Sequence, residues 1–119
     1  MSTSSGRTEQ TFQILTALID GPLHGYGIIQ EVERLSDGRT QLRVGTLYGA
    51  LDRLSAEGLL VLEREETVSG RLRRYYRLTD AGAQALAHDA ERLAHQASVA
   101  LERLGRRRSA GGATLGGLA

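Results

Sequence analysis

Apolar residues recur along the first half of the chain at steps of three and four, the spacing of one helix face. Phe12, Leu15 and Ile19 form one such stripe, with Ile14 and Leu18 beside it, and predict a helix over residues 9–20. Gly21-Pro22 ends it, because proline cannot continue a helix and biases the residue before it away from helical geometry. Ile28, Val32 and Leu35, with Ile29 alongside, predict a second helix over residues 24–35, followed by the turn pair Asp37-Gly38. Leu47, Leu51 and Leu54, helped by Ala50, predict a third over residues 44–57, with Gly58 as a left-handed stop.

The period then changes. Residues 59–66 and 72–78 read as two strands around a glycine-containing loop, Val68-Ser69-Gly70-Arg71. Alternation puts Arg71, Arg73, Tyr75 and Arg77 on one face and Leu72, Arg74, Tyr76 and Leu78 on the other. Thr79 is a natural N-cap, with Asp80 in the positive first turn. The last helix is expected over residues 80–104, ended by Gly105. Ala83, Leu86, Ala90, Leu93, Ala97, Ala100 and Leu104 alternate steps of three and four along it, a heptad seam that needs a partner surface. At about 1.5 Å per residue the helix is ~37 Å long, more than a small three-helix domain covers. A second copy of the chain is the expected partner, through Leu86, Ala90, Leu93, Ala97, Ala100 and Leu104.

The fold class is therefore mainly α with a small β-hairpin: a winged helix-turn-helix plus a long C-terminal dimerisation helix. The divisions are a flexible N-terminus (1–8), the winged domain (9–78), the dimerisation helix (79–105) and a flexible basic, glycine-rich tail (106–119).

Composition narrows the chemistry. The 119 residues contain no cysteine, which removes disulfides, zinc fingers and thiol catalysis. No apolar run approaches the ~20 residues of a membrane span, and residues 1–8 lack the hydrophobic stretch of a secretory signal, so a cytoplasmic protein is expected. His88 and His95 stand seven apart on the last helix, too far for a helical metal pair, and no serine, histidine and acid fall in a triad order. No enzyme, metal or cofactor is expected.

The net charge of +1 hides an uneven distribution. Residues 1–63 carry a net of −3, residues 64–77 a net of +3, and the remainder +1. The positive segment is the hairpin, where Arg71, Arg73 and Arg74 crowd the tip and return strand. Arginine's planar fork suits phosphate oxygens. At the start of the third helix, Arg43 can read guanine or hold phosphate, and Thr46 and Tyr48 offer hydroxyls. Gly45 and Gly49 leave that face bare, and free N–H groups at a helix start favour anions. His24 opens the second helix or touches a phosphate. Tyr48 can equally pack partly in the core with a wet hydroxyl, and Arg53 can equally be a solvated arginine. The DNA-binding set is thus Arg43, Thr46, Tyr48, Gly49, Arg53, Arg71, Arg73, Arg74 and His24. The alternative is a winged helix that binds protein without specific DNA contact, which has no need of the arginine cluster.

Three stretches carry a family resemblance. Ile14-Leu15 through Gly21-Pro22-Leu23-His24-Gly25-Tyr26 is the first. The second is Val44-Gly45-Thr46-Leu47-Tyr48-Gly49-Ala50-Leu51-Asp52-Arg53-Leu54 with Glu57-Gly58-Leu59. The third is Ser69-Gly70-Arg71-Leu72-Arg73-Arg74-Tyr75-Tyr76-Arg77-Leu78-Thr79 with Ala81-Gly82. In that order and spacing they resemble the PadR family of bacterial transcriptional regulators, in its short form with one C-terminal helix. Val44 and Leu72 stand where the family often has proline, and Arg74 where it often has lysine. The resemblance implies a homodimer, usually a repressor, on a palindromic operator of double-stranded DNA. In some members a drug-like or phenolic molecule binds near the dimer centre and releases DNA. The matching positions here are Phe12, Leu15, Ile19 and Leu93. Without tryptophan, only Phe12 could stack on a flat effector; aliphatic walls, or no effector at all, are the other readings.

Overall fold

The computed structural model describes residues 8–118, with side chains to residue 111. The chain divides into two compact units, Met1–Ala87 and His88–Ala119. The first holds α1 (Glu9–Ala17), β1 (Leu23–His24), α2 (Gly25–Leu35), α3 (Val44–Ala56), β2 (Leu60–Val68) and β3 (Arg71–Leu78); α4 (Asp80–Leu118) begins in it and makes up the second.

Thr8 caps α1 by accepting the Thr11 N–H at 3.1 Å, so it belongs to the folded domain. The rest of the expected N-terminal tail lies outside the described residues. α1 stops three residues earlier than its stripe predicts. Leu18 and Ile19 donate to the carbonyls of Leu15 and Thr16, a tightened turn that leads into Gly21 at φ 145°. The buried face is accordingly Ile14, Leu15 and Leu18, while Ile19 is 56% exposed. α3 ends as expected: Gly58 takes φ 78°, and the Leu59 N–H returns to the Leu54 carbonyl at 3.0 Å.

The hairpin turn is tighter than the four-residue loop read from sequence. Ser69 and Gly70 both have positive φ, the two-residue turn whose twist matches paired strands. The sheet has a third strand, because Leu23 and His24 pair with Tyr76 and Tyr75, giving the antiparallel order β1-β3-β2. Two residues carry no period of their own, so β1 is invisible in the sequence pattern.

One core joins these elements. Ile14, Leu15 and Leu18 from α1 meet Ile28 and Val32 from α2 and Leu47, Leu51 and Leu54 from α3, with Leu42, Leu60, Tyr76 and Leu86. Each such side chain contributes about 1.5–3 kcal/mol on burial. Leu86 is 6% exposed and packs within the first unit, so it is not a free seam position as the heptad pattern has it. α4 is fastened by Thr79, whose hydroxyl donates to the Gly58 carbonyl at 2.7 Å and accepts the Gly82 N–H at 2.9 Å.

In the second unit Leu93 and Leu104 are 41% and 51% exposed, and Ala90, Ala97 and Ala100 are exposed beside them. The helix does not end at Gly105 but runs on to Leu118. Glycine stops a helix by taking positive φ, and Gly105 does not. Arg106 and Glu102, one turn apart, bridge it at 3.5 Å. The expected tail is thus helical where it is described, and residue 119 lies outside.

Candidate nucleic-acid interface

The outward face of α3 is bare by composition. With Leu47, Ala50, Leu51 and Leu54 turned inward, the exposed positions near its start are Arg43, Val44, Gly45, Thr46, Tyr48 and Gly49. A Cβ added at Gly45 or Gly49 would meet nothing within 4 Å, so a partner can approach the backbone there. The N-cap, Arg43, makes no side-chain hydrogen bond to the helix. The first-turn N–H groups therefore point outward with the positive end of the helix dipole.

Tyr48 leans toward α2. A Cβ at Gly25 would lie 2.5 Å from its hydroxyl, so the Tyr48 ring rides over the first residue of α2 and a side chain there would push the hydroxyl aside. Tyr48 itself stays 42% exposed. Arg53 is turned away from the helix start: its Nη2 donates to Thr11 Oγ1 at 3.2 Å, in the hydroxyl pair that Thr8 and Thr11 form at 2.9 Å. Exposed at the surface, Arg53 also ties α3 to the capped end of α1.

The hairpin decides which arginines remain available. Over Leu60–Val68 and Arg71–Leu78 it carries five arginines and three glutamates. Glu63 is an extra residue on β2, for Leu62 faces Tyr76 and Arg64 already faces Tyr75. This bulge shifts every later pair, so that Glu65 opposes Arg74 and Glu66 opposes Arg73. Unbulged, Arg64 would oppose Arg74, a like-charge pair directly across the sheet. Arg74 pairs with Glu65 at 3.0 Å, Arg64 with Glu63 and Glu66 at 2.9 Å each, and Arg77 with Glu63 at 3.6 Å. Among the described residues Arg71 and Arg73, with Arg43, have no ion pair. The basic island of the sequence is narrower than its charge count.

Beside these lies an open cleft of about 500 Å³, lined by His24, Gly25, Tyr26, Tyr48 and the run Arg71-Leu72-Arg73-Arg74. It brings five of the nine sequence candidates together: His24, Tyr48, Arg71, Arg73 and Arg74. Arg43, Thr46 and Gly49 stand on α3 outside it, and Arg53 is elsewhere. Gly25, Tyr26 and Leu72 were not predicted for the site, though Gly25 and Tyr26 adjoin His24 in the first quoted stretch. His24 pairs with Tyr75 across β1 and β3, their rings 5.3 Å apart, and Arg64 stacks on the Tyr75 ring at 4.1 Å. Burial, then the nearby Arg73 charge, hold the His24 imidazole below its ordinary value.

The positions implied for an effector differ in exposure. Leu15 is fully buried in the core and offers no surface; Phe12 is half-buried and Ile19 exposed. No described helix is long and apolar enough to cross a membrane.

Comparison with known proteins agrees with this architecture. A model of the PadR-like transcriptional regulator family matches residues 14–88. Transcriptional regulator Rv3488 of Mycobacterium tuberculosis is 42% identical over 83 residues, 70% of this chain and 74% of that protein. A PadR family transcription regulator from Clostridium difficile superposes with a TM-score of 0.68 at 27% identity, covering 82% of this chain and 99% of that one. Bacillus subtilis PadR in complex with operator DNA superposes with a TM-score of 0.59 at 26% identity, over 66% of this chain and 44% of that one. With its core elements, hairpin and helix start all inside the matched residues, the chain belongs to the PadR-like family of transcriptional regulators, which are not enzymes.

Proposed function

We propose that the protein is a homodimeric repressor that acts in the cytoplasm on a palindromic operator. The observation that carries this is the arginine-lined cleft beside the bare start of α3, in a family whose Bacillus subtilis member is known in complex with operator DNA. Arg43, Thr46 and Gly49 face base edges or the adjoining backbone, while Arg71 and Arg73 hold phosphates and set the register. Two copies pair through Ala90, Leu93, Ala97, Ala100 and Leu104, whose apolar surface one chain leaves exposed. The pairing presents two recognition helices to successive major grooves, ~34 Å apart.

Release by a small molecule would use Phe12, Ile19 and Leu93, without Leu15. Such a molecule acts only by binding one form of the dimer better than the other.

Selection of bound fragments from random duplexes tests the reading. The expected result is a palindrome with half-sites about one helical turn apart. Recovery of no palindrome would favour the protein-binding winged helix instead. Leu93→Asp should give a monomer by light scattering and lose operator binding; a persistent dimer would place the contact elsewhere.

A further inference from the structure

No carboxylate lines the cleft between α2, α3 and β3, and its charged lining groups are the arginines Arg71, Arg73 and Arg74. His24 is fixed at its edge. On one side its ring packs against Tyr75, tilted by 58°. Gly27 also adjoins it: a Cβ there would lie 3.5 Å from the His24 Nδ1 and Cε1. The titratable and charged groups around it are Arg71, Arg73, Arg74 and Tyr75 on β3, Arg64 and Glu66 on β2 beside Tyr75, Tyr26 on α2 and Tyr48 on α3. The one carboxylate in that set, Glu66, is engaged by Arg64 at 2.9 Å. Burial first, and the Arg73 cation second, disfavour a positive charge on the imidazole.

We propose that the cleft seats a backbone phosphate of the bound duplex and that His24 takes up a proton as the phosphate arrives, so that operator affinity rises as the pH falls. The inference rests on the operator-binding reading above. A phosphodiester between Arg73 and His24 accepts a hydrogen bond from the protonated ring and screens Arg73, offsetting the burial and the repulsion that disfavour that proton. The proton comes from solvent, no covalent bond changes, and each protomer takes up one. An anion hydrogen-bonded to an imidazole typically raises its affinity for the proton about tenfold or more, which is the gain in binding expected per protomer.

The test is fluorescence anisotropy of a labelled operator duplex with the full chain and with His24→Gln, from about pH 8 to about pH 5.5 at fixed ionic strength. The wild type should gain about tenfold per protomer and His24→Gln less than about twofold. Since the variant could perturb β1, the wild-type His24 resonance is also followed by NMR, identified by its absence from His24→Gln. Its midpoint should lie below the ordinary imidazole range in the free protein and above it with duplex. Inorganic phosphate alone should move it far less; an equal shift would make the cleft a small-anion site and overturn the assignment. Duplex binding with the same pH dependence in both proteins, or with an unmoved midpoint, would overturn the proton linkage alone. Absence of duplex binding at every pH would overturn the operator reading with it.

Discussion

Replacing Gly82 by alanine should destabilise the protein, although in a helix interior that exchange ordinarily stabilises by up to about 1 kcal/mol. Gly82 is buried in the first turn of α4, against the chain that leads from α3 into β2. A Cβ there would overlap the Leu59 carbonyl oxygen and lie 2.9 Å from both its carbonyl carbon and Leu78 Cδ1, where ordinary contact begins at 3.4 Å. The carbonyl cannot simply turn aside. It accepts the Thr79 N–H at 3.1 Å, and the adjacent Gly58 carbonyl accepts the Thr79 hydroxyl at 2.7 Å. Lifting the turn forfeits both bonds, about 1 kcal/mol each, and partial relief leaves about 1–3 kcal/mol of overpacking. Against the propensity gain the net loss is about 3 kcal/mol. For a domain of this size that lowers Tm by roughly 15 °C. Thermal melts by circular dichroism at one protein concentration measure it, since dimerisation makes Tm concentration-dependent. Gly49→Ala is the counterpart: α3 leaves the new methyl in open space, and Tm should rise by several degrees. A Gly82→Ala protein that melts at or above wild type would refute the close approach of α4 to Leu59.

Arg71→Ala with Arg73→Ala should weaken binding to every duplex and flatten the salt dependence by about 0.9 per lost phosphate contact, or about two per protomer; an unchanged slope would remove the hairpin from the interface. Arg53→Ala should leave that slope alone and cost about 1 kcal/mol of stability in urea, because its bond to Thr11 is internal. A lower slope would instead place Arg53 on a phosphate. The free protein should respond to pH in the opposite sense to its duplex complex. The His24 value is depressed by folding, so the unfolded chain takes up the proton first as pH falls. Its contribution is whole above about 6.5 and is lost as the pH falls below that. The melting temperature of wild type minus that of His24→Gln should therefore decline between about pH 7.5 and 5.5; a constant difference would contradict the burial of the ring.

Much of the fold was legible because it is local. Helix faces such as Leu47, Leu51 and Leu54, stops such as Gly58, and the cap Thr79 depend on residues within a turn or two of one another. The candidate site was legible as a set of residue types, and five of its members do meet in one cleft. Its working charges were not. Whether Arg74 or Arg71 is paired depends on the bulge at Glu63, which one strand read alone does not reveal.

Sequence by itself determined the order of elements, the hairpin, the apolar seam on α4 and the family, since each is carried by spacing and motif along the chain. Only the tertiary structure decided how those parts are used. It placed Leu86 and Leu15 in the core, tied Arg53 to α1, added β1 to the sheet, and left Arg71 and Arg73 without ion pairs among the described residues. The reason is physical: periodicity is set by neighbours in sequence. Burial, strand register and ion pairing are set by residues tens of positions away, which meet only once the chain has folded.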